Sequence, residues 1–165
     1  MPCQTIASLQ EFGWRISVAD ITQSGAFSIF PEIDRSIVLL DGGGVALSST
    51  AAGWQQRLDT PLRPFSFRGE DDCHATLLDG PSRDFNAMTR RGRFRHQVEI
   101  RHTALAAASR IGLLLIVGGV WQDEHGQRWQ TDEGCLWRDG PACDRLMPIT
   151  ANAVALHVTI TEERV

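Results

Sequence analysis

The 165-residue sequence predicts an all-β fold of antiparallel strands. Three observations support this prediction. Several short stretches alternate apolar and polar residues with a period of two, as half-buried strands do. Two continuous apolar runs end in glycines, which is typical of strands buried on both faces. Glycine turns recur at short intervals along the chain, and this spacing is typical of a β-sandwich or barrel.

The strongest strand predictions follow one another in chain order: "WRISVAD" (14–20), "SIVLLDGGG" (36–44), "HQVEIRH" (96–102), "GLLLIVGGV" (112–120) and "AVALHVTIT" (153–161). In the first of them, Trp14, Ile16 and Val18 form the apolar face. Helical signals are few. Residues 48–58 and 103–111 each predict a short helix, and the second stretch is equally compatible with a loop and a strand of small residues.

Two parts of the chain show weak internal sequence similarity. "IVLLDGGGV" at 37–45 resembles "LLLIVGGV" at 113–120, because each is an apolar run that enters a glycine turn. No low-complexity linker interrupts the sequence. We therefore expect one domain over 1–165, made of two related β halves at roughly 12–95 and 96–165.

The composition limits the classes of binding partner that we expect. The formal net charge is −4, so a general nucleic-acid binder is not expected. All 16 basic residues are arginine, and an anion site must therefore use guanidinium groups. The start of the chain lacks the pattern of a signal peptide, and no apolar run is long enough to span a bilayer. These features predict a cytoplasmic protein without a membrane partner. Its four cysteines are then expected to be reduced: Cys3, Cys73, Cys135 and Cys143.

Metal and catalytic motifs are missing from the sequence. The histidines are scattered and form no HxH pair, so neither a metal site nor a cofactor is expected. His157 falls on the polar side of the last strand, where a surface histidine is expected. No GxSxG elbow occurs, and no dinucleotide or phosphate loop follows the glycines at 42–44. The sequence assigns no catalytic residue.

The "DFNAM" stretch (84–88) is the best candidate for a binding surface. On an extended backbone Asp84, Asn86 and Met88 share one face, opposite Phe85. Such a polar trio beside a core aromatic is typical of a pocket wall, although simple packing explains it equally well. Arg35 closes the turn "FPEIDR" just before a buried strand. A purely structural turn explains this stretch, although an arginine at the mouth of a β-barrel is well placed to hold a carboxylate.

The basic stretch "RRGRFR" (90–95) follows the candidate wall. We interpret Arg93 and Arg95 as a solvated edge that discourages edge-to-edge strand pairing. Arg90 has two interpretations, either a second contact to an anion or a structural partner for Asp84.

Taken in series, several segments resemble the HutD/Ves family. They are "FGWRISVADITQSGAFSIFPEIDRSIVLLDGGGVAL", "PFSFRG", "LLDGPSRDFNAMTRR" and "LWRDGP". The resemblance implies a cupin-like (bicupin) fold, a double β-barrel or jelly roll, without the cupin metal motif. It also implies a link to bacterial histidine utilisation, where the HutD branch is regarded as a regulator that binds an intermediate such as N-formylglutamate. The Ves branch is tied to stress responses.

The start of this sequence departs from the family pattern. The family's usual "WKNGGG.T.E" motif has no counterpart before Trp14. We expect the first barrel to lack a strand there, which leaves an edge that a homodimer partner could cover.

The favoured hypothesis is a non-catalytic regulatory protein that binds a small carboxylate resembling N-formylglutamate. Arg35 would hold a carboxylate, and amide or formyl groups would meet Asp84 and Asn86. The full set of candidate ligand-binding residues is Arg35, Phe67, Asp84, Asn86, Met88 and Arg90. Two alternatives stay open. One is a metal-free isomerase or hydrolase that acts on an amino-acid or sugar derivative, with His96, His102 or Asp84 as its base. The other is a structural or partner-binding protein.

Overall fold

The computed structural model describes residues 12–106, 109–140 and 144–163, which form fifteen β-strands and no helix. The strands are β1 Trp14–Ile21, β2 Gly25–Ala26, β3 Ile33–Gly42, β4 Val45–Ser49, β5 Trp54–Leu58, β6 Phe65–Arg68, β7 Cys73–Leu77, β8 Ser82–Arg90, β9 Phe94–Arg101, β10 Ile111–Gly118, β11 Val120–Asp123, β12 Arg128–Gln130, β13 Gly134–Trp137, β14 Leu146–Pro148 and β15 Val154–Glu162. The described pairings between them are antiparallel, which confirms the predicted all-β class.

The described residues divide into two compact units. Unit 1 contains residues 12–61 and 65–95 together with Glu163. Unit 2 contains residues 62–64 and the described part of 96–162. The break near residue 95 falls inside β9.

Unit 1 contains two four-stranded sheets, in the orders β1-β8-β3-β6 and β2-β7-β4-β5. The apolar run of β3 is buried on both of its faces, as its composition predicts. Side chains from both sheets form the core of this unit: Ile37, Leu39, Val45, Leu47, Leu58, Phe67, Cys73 and Ala75. Polar residues on the inner face of β3 and β8 are therefore held among apolar neighbours.

Unit 2 contains a four-stranded sheet in the order β13-β10-β15-β9 and a three-stranded sheet in the order β12-β11-β14. Its core draws on both sheets and on the loop beside β14: Leu105, Leu114, Ile116, Trp121, Trp137, Leu146, Ala153 and Ala155. β15 is buried on both faces along most of its length, and His157 is only 3% exposed. The expectation of a surface histidine at this position is wrong, because the strand has no solvated face there.

The three glycines at 42–44 allow three backbone segments to meet. A Cβ at Gly43 would lie only 1.7 Å from the Asp79 carbonyl oxygen, far closer than any non-bonded contact permits. A Cβ at Gly42 would lie 2.3 Å from the Pro81 carbonyl oxygen, and one at Gly44 would lie 2.3 Å from that of Leu58. The glycines are therefore required for close packing rather than for phosphate binding.

Some local predictions differ from the structure. The short helix predicted at 48–58 does not form, because Gly53 adopts a left-handed turn and Trp54 pairs with Ser49 across β4 and β5. The described part of 103–111 is not helical either, and residues 107–108 lie outside the described ranges. Among the described residues, none belongs to a helix that could cross a membrane. The edge expected before Trp14 concerns residues outside the described ranges.

Candidate functional site

The register of β3 against β8 brings most of the predicted site residues onto one face of unit 1. Arg35 pairs with Met88, and Leu39 pairs with Asp84. Arg35 also pairs with Phe67 on β6. Directly paired residues in an antiparallel sheet point to the same side. Because Leu39 and Phe67 belong to the core of unit 1, this face is the inner one.

Arg35 is the most unusual residue on this face, because its charged side chain is only 5% exposed. Its guanidinium lies over three phenylalanine rings, with its carbon 4.8 Å from the Phe67 centroid, 5.2 Å from Phe27 and 5.6 Å from Phe30. Each ring face attracts the cation. Buried arginines are normally paired with a carboxylate, and no described carboxylate forms an ion pair with Arg35.

The polar contacts of Arg35 are neutral. One terminal nitrogen donates to Asn86 Oδ1 at 3.2 Å, and the other donates to the Ser28 carbonyl oxygen at 3.4 Å. Nε is buried without a described partner. Burial lowers the pKa of Arg35 to about 10, so the group stays charged near neutral pH. Burial also raises the pKa of the nearby Cys73 thiol to about 11, so this thiol is not a counter-ion there.

Arg15 is a second cation at this end of the site, although it is not among the candidate residues predicted from the sequence. On β1 it pairs with Met88, which places it on the inner face beside Arg35. Its positive charge helps to lower the pKa of Arg35, after the larger effect of burial. Val18, assigned to the buried face from the sequence, is 43% exposed. The polar face of "WRISVAD" therefore points toward the site.

Asp84 lies further along the same face and is fully buried. Ser82 Oγ donates a hydrogen bond of 2.6 Å to Asp84 Oδ2, while Oδ1 has no described partner. Burial raises the pKa of Asp84, and the bond from Ser82 only partly offsets this effect. A carboxyl group that keeps its proton can donate from one oxygen and accept at the other.

Arg90 is held at the opposite end of β8. Its Nε donates to the Phe12 carbonyl oxygen at 3.3 Å, and a terminal nitrogen lies 3.4 Å from a Glu32 carboxylate oxygen. Arg90 lies six positions along β8 from Asp84, a distance of about 20 Å. The interpretation of Arg90 as a structural partner for Asp84 is therefore wrong. Its role as a second anion contact stays a prediction.

The rest of the basic stretch is paired locally or exposed. Arg91 bridges Asp34 and Glu70 with contacts of 2.8 and 2.9 Å, and these two carboxylates raise its pKa. Arg93 lies over the ring of Phe94, and Arg95 is exposed. Neither residue faces the interior of unit 1.

Comparison with known proteins decides the family. A model of the family described as HutD matches residues 3–154. The chain belongs to the HutD family. Protein Ves of Cronobacter sakazakii is 34% identical over 152 residues, which cover 91% of this HutD-family chain and 82% of the relative. The resemblance to HutD and Ves is confirmed.

Solved structures support the predicted architecture of this HutD-family protein. HutD from Pseudomonas fluorescens SBW25, in a formate condition, matches with a TM-score of 0.78 and 26% identity, covering 96% of this chain and 84% of that one. A cupin 2 conserved barrel domain protein from Leptotrichia buccalis matches with a TM-score of 0.55 and 8% identity, covering 93% and 86%. The second match shows the fold alone, which is cupin-like as predicted.

Metal ligands, a thiol and the candidate bases are the groups of this HutD-family chain that bear on catalysis. No group of three or more His, Cys, Asp or Glu side chains within residues 12–106, 109–140 and 144–163 could hold a metal ion. Cys73 is buried, and its raised pKa makes it a poor nucleophile near neutral pH. Of the bases suggested by the sequence, Asp84 lies in unit 1, while His96 and His102 lie in unit 2.

Phe27 and Phe30 were also missed by the sequence analysis, although both stand in the quoted "GAFSIF". Phe27 binds the Cys73 carbonyl through its backbone NH, and Phe30 binds the Gly69 carbonyl in the same way. These contacts between loop and strand fix the rings over Arg35. They cannot be found from periodicity, because both residues lie outside the regular strands.

Proposed function

We propose that this HutD-family protein is a non-catalytic regulatory protein that binds a small organic carboxylate inside unit 1. The observation behind this proposal is the buried charge of Arg35, which has ring faces and neutral oxygens around it but no described carboxylate. Burial of a cation without a counter-ion is unfavourable. An anionic ligand would supply the counter-ion and form charge-assisted hydrogen bonds with the guanidinium.

The order of groups along the face suggests a ligand with two polar ends. Arg35 pairs with Met88, and its guanidinium reaches Asn86, which lies two residues closer to Asp84 along β8. Asp84 is two residues beyond Asn86 on β8, a distance of about 7 Å. A carboxylate at Arg35 and a carbonyl or formyl oxygen that accepts a hydrogen bond from Asp84 in its protonated form would fit a small ligand with polar groups at both ends. Phe67 and Met88 would supply its apolar walls.

N-formylglutamate has this combination of groups, since it carries two carboxylates and a formyl amide. With Arg15 beside Arg35, two guanidinium groups are available for its anionic ends. We therefore propose an intermediate of histidine degradation, such as N-formylglutamate, as the ligand. A cytoplasmic location and a homodimer remain further proposals.

Thermal-shift titration with N-formylglutamate, glutamate, urocanate and formate tests the proposal. Binding to the native state raises the melting temperature by mass action. We expect a saturable rise with N-formylglutamate that disappears in Arg35→Met. Arg68→Met is the matched control, because Arg68 is an exposed arginine next to Phe67 on the outward side of β6. A rise that survives Arg35→Met, or a flat response to all four compounds, would contradict the proposal.

A further inference from the structure

Unit 2 contains further buried polar atoms that lack a described hydrogen-bond partner. Among the described residues, eight buried side-chain nitrogen or oxygen atoms have no hydrogen-bond partner, and two of them belong to Arg35 and Asp84. The other six are Arg101 Nε, Ser109 Oγ, Trp121 Nε1, Trp129 Nε1, His157 Nδ1 and His157 Nε2. Each buried polar atom without a partner is unfavourable, so each of them needs a physical reason.

His157 carries two of these six atoms, and a third, Arg101 Nε, lies beside the Glu99 carboxylate that reaches His157. It lies on β15 opposite Leu114, whose side chain belongs to the core of unit 2. Neither of its ring nitrogens forms a hydrogen bond with a described residue. The Trp137 indole lies nearly parallel to the imidazole, with ring centroids 6.1 Å apart. Burial lowers the pKa of His157, so the ring is neutral near pH 7 and offers one donor and one acceptor.

Two oppositely charged side chains of β9, Glu99 and Arg101, lie next to each other, and Glu99 reaches His157. Glu99 Oε2 lies 3.9 Å from His157 Nδ1 and 3.6 Å from Arg101 Nε. Both distances are longer than a charge-assisted hydrogen bond, so neither charge is fully satisfied by the other. The Glu99 and Arg101 side chains are 34% and 38% exposed, whereas His157 is buried. The charged end of the cluster is thus open to solvent, and the imidazole forms its closed end.

Gln97 holds Glu99 in this orientation. Its side-chain amide donates to Glu99 Oε1 at 3.2 Å, which leaves Oε2 directed at Arg101 and His157. Trp137 is fixed in turn by a hydrogen bond of 2.9 Å from its Nε1 to the Ser109 carbonyl oxygen. The cluster is therefore pre-organised before any ligand enters, which reduces the entropic loss on binding.

We propose that unit 2 contains a second ligand site, which takes the zwitterion of a free α-amino acid. The α-carboxylate would bind the Arg101 guanidinium, and the α-ammonium would bind Glu99. His157 would form a hydrogen bond with the ligand, and the Trp137 ring would contact its apolar part. A purely anionic ligand would be repelled by Glu99, and a purely cationic one by Arg101, whereas a zwitterion satisfies both charges. This site is separate from the proposed carboxylate site in unit 1 and does not depend on it.

Calorimetric and thermal-shift titration with the proteinogenic L-amino acids tests this inference on the full chain. We expect at least one of them to bind saturably. The N-acetyl form of that amino acid lacks the ammonium, and its methyl ester lacks the carboxylate. Both derivatives should therefore bind at least about tenfold more weakly than the free amino acid. Equal binding of either derivative would overturn the zwitterion assignment, and so would the absence of binding by every amino acid.

Variants locate the site. Glu99→Gln keeps the side-chain shape without the charge, and Arg101→Gln replaces the guanidinium by a shorter neutral amide. Each should weaken amino-acid binding at least about tenfold. Arg128→Gln is the matched control, because Arg128 is an exposed arginine on β12 of the same unit. Arg35→Met removes the proposed carboxylate site and should leave amino-acid affinity unchanged. Loss of amino-acid binding in Arg35→Met together with full binding in Arg101→Gln would place the amino acid in unit 1 and refute the second site.

Discussion

The Arg35 guanidinium donates a hydrogen bond of 3.2 Å to Asn86 Oδ1, joining residues that are 51 positions apart in the chain. This contact links β3 to β8 across the inner face of unit 1. Because the acceptor is an amide, the arginine keeps its full positive charge. The neutrality of this one neighbour is what leaves the guanidinium available for an anionic ligand.

Arg35→Met should separate binding from stability. The substitution removes a buried charge without a described counter-ion, and this offsets the loss of two hydrogen bonds and the ring contacts. We expect the free energy of unfolding to fall by no more than about 1 kcal/mol, with carboxylate binding abolished. Urea denaturation of the variant and the wild type measures this difference. A loss of several kcal/mol would instead indicate that the role of Arg35 is structural.

Asn86→Asp should block the site with an internal counter-ion. The new carboxylate would lie beside Arg35 and compete with any carboxylate ligand for the guanidinium. We expect ligand affinity to fall by at least about tenfold with the fold intact. Titration calorimetry checks the affinity, and circular dichroism checks the fold. Asn86→Gln serves as the control that keeps the amide.

Asp84→Asn should change the pH dependence of stability. The native pKa of Asp84 is raised, so the native state holds this proton more tightly than the unfolded chain does. The contribution of Asp84 therefore becomes less favourable as pH rises above 3.8, the ordinary value, through the raised native value. We therefore expect the melting temperature of the variant, relative to that of the wild type, to increase as pH rises over this window. A difference that is constant with pH would show that the native pKa of Asp84 is not raised above its value in the unfolded chain.

His157→Phe should change how the stability of the protein depends on pH under mildly acidic conditions. The native pKa of His157 is lowered by burial, with Glu99 opposing the effect and Arg101 adding to it. The unfolded chain then takes up a proton that the native state resists, so stability is lost as pH falls below 6.5, the ordinary value. The variant should lack this loss, which thermal melts between about pH 5 and 8 would detect. Parallel loss in both proteins would mean that His157 titrates normally.

Gly112→Ala should disturb the ring that lines the proposed amino-acid site. Gly112 faces Trp137 across β10 and β13, and an added Cβ would lie 2.4 Å from Trp137 Cζ2 and 2.7 Å from the Val158 carbonyl oxygen. The overlap should cost about 1–3 kcal/mol of unfolding free energy and shift the tryptophan fluorescence. Gly92→Ala tests whether crowding is the cause, since nothing lies within 4 Å of a Cβ there. Its positive φ adds backbone strain, so the comparison relies on the fluorescence change.

Periodicity and composition predicted the strand class and one face of the unit 1 site. The alternation in "DFNAM" correctly placed Asp84 and Asn86 on the same face, because the side chains of an extended strand alternate by geometry alone. Arg15 was missed because its polar side chain was assigned to solvent, although in β1 the polar face points inward. His157 was missed for the same reason. Which side of a strand is buried depends on the sheets packed around it, and a single sequence does not contain that information.

The triple glycine has a consequence for how this gene can vary. Any substitution of Gly42, Gly43 or Gly44 adds at least a Cβ, and each added atom would meet the backbone of another segment. No replacement is small enough to escape this conflict, so random mutagenesis should find loss-of-function changes concentrated at these three codons. Such changes would mimic damage to the binding residues, although the glycines serve only the crossing of three backbone segments. A screen for ligand-binding mutants must therefore be read together with protein abundance, so that failed folding is not mistaken for a lost contact.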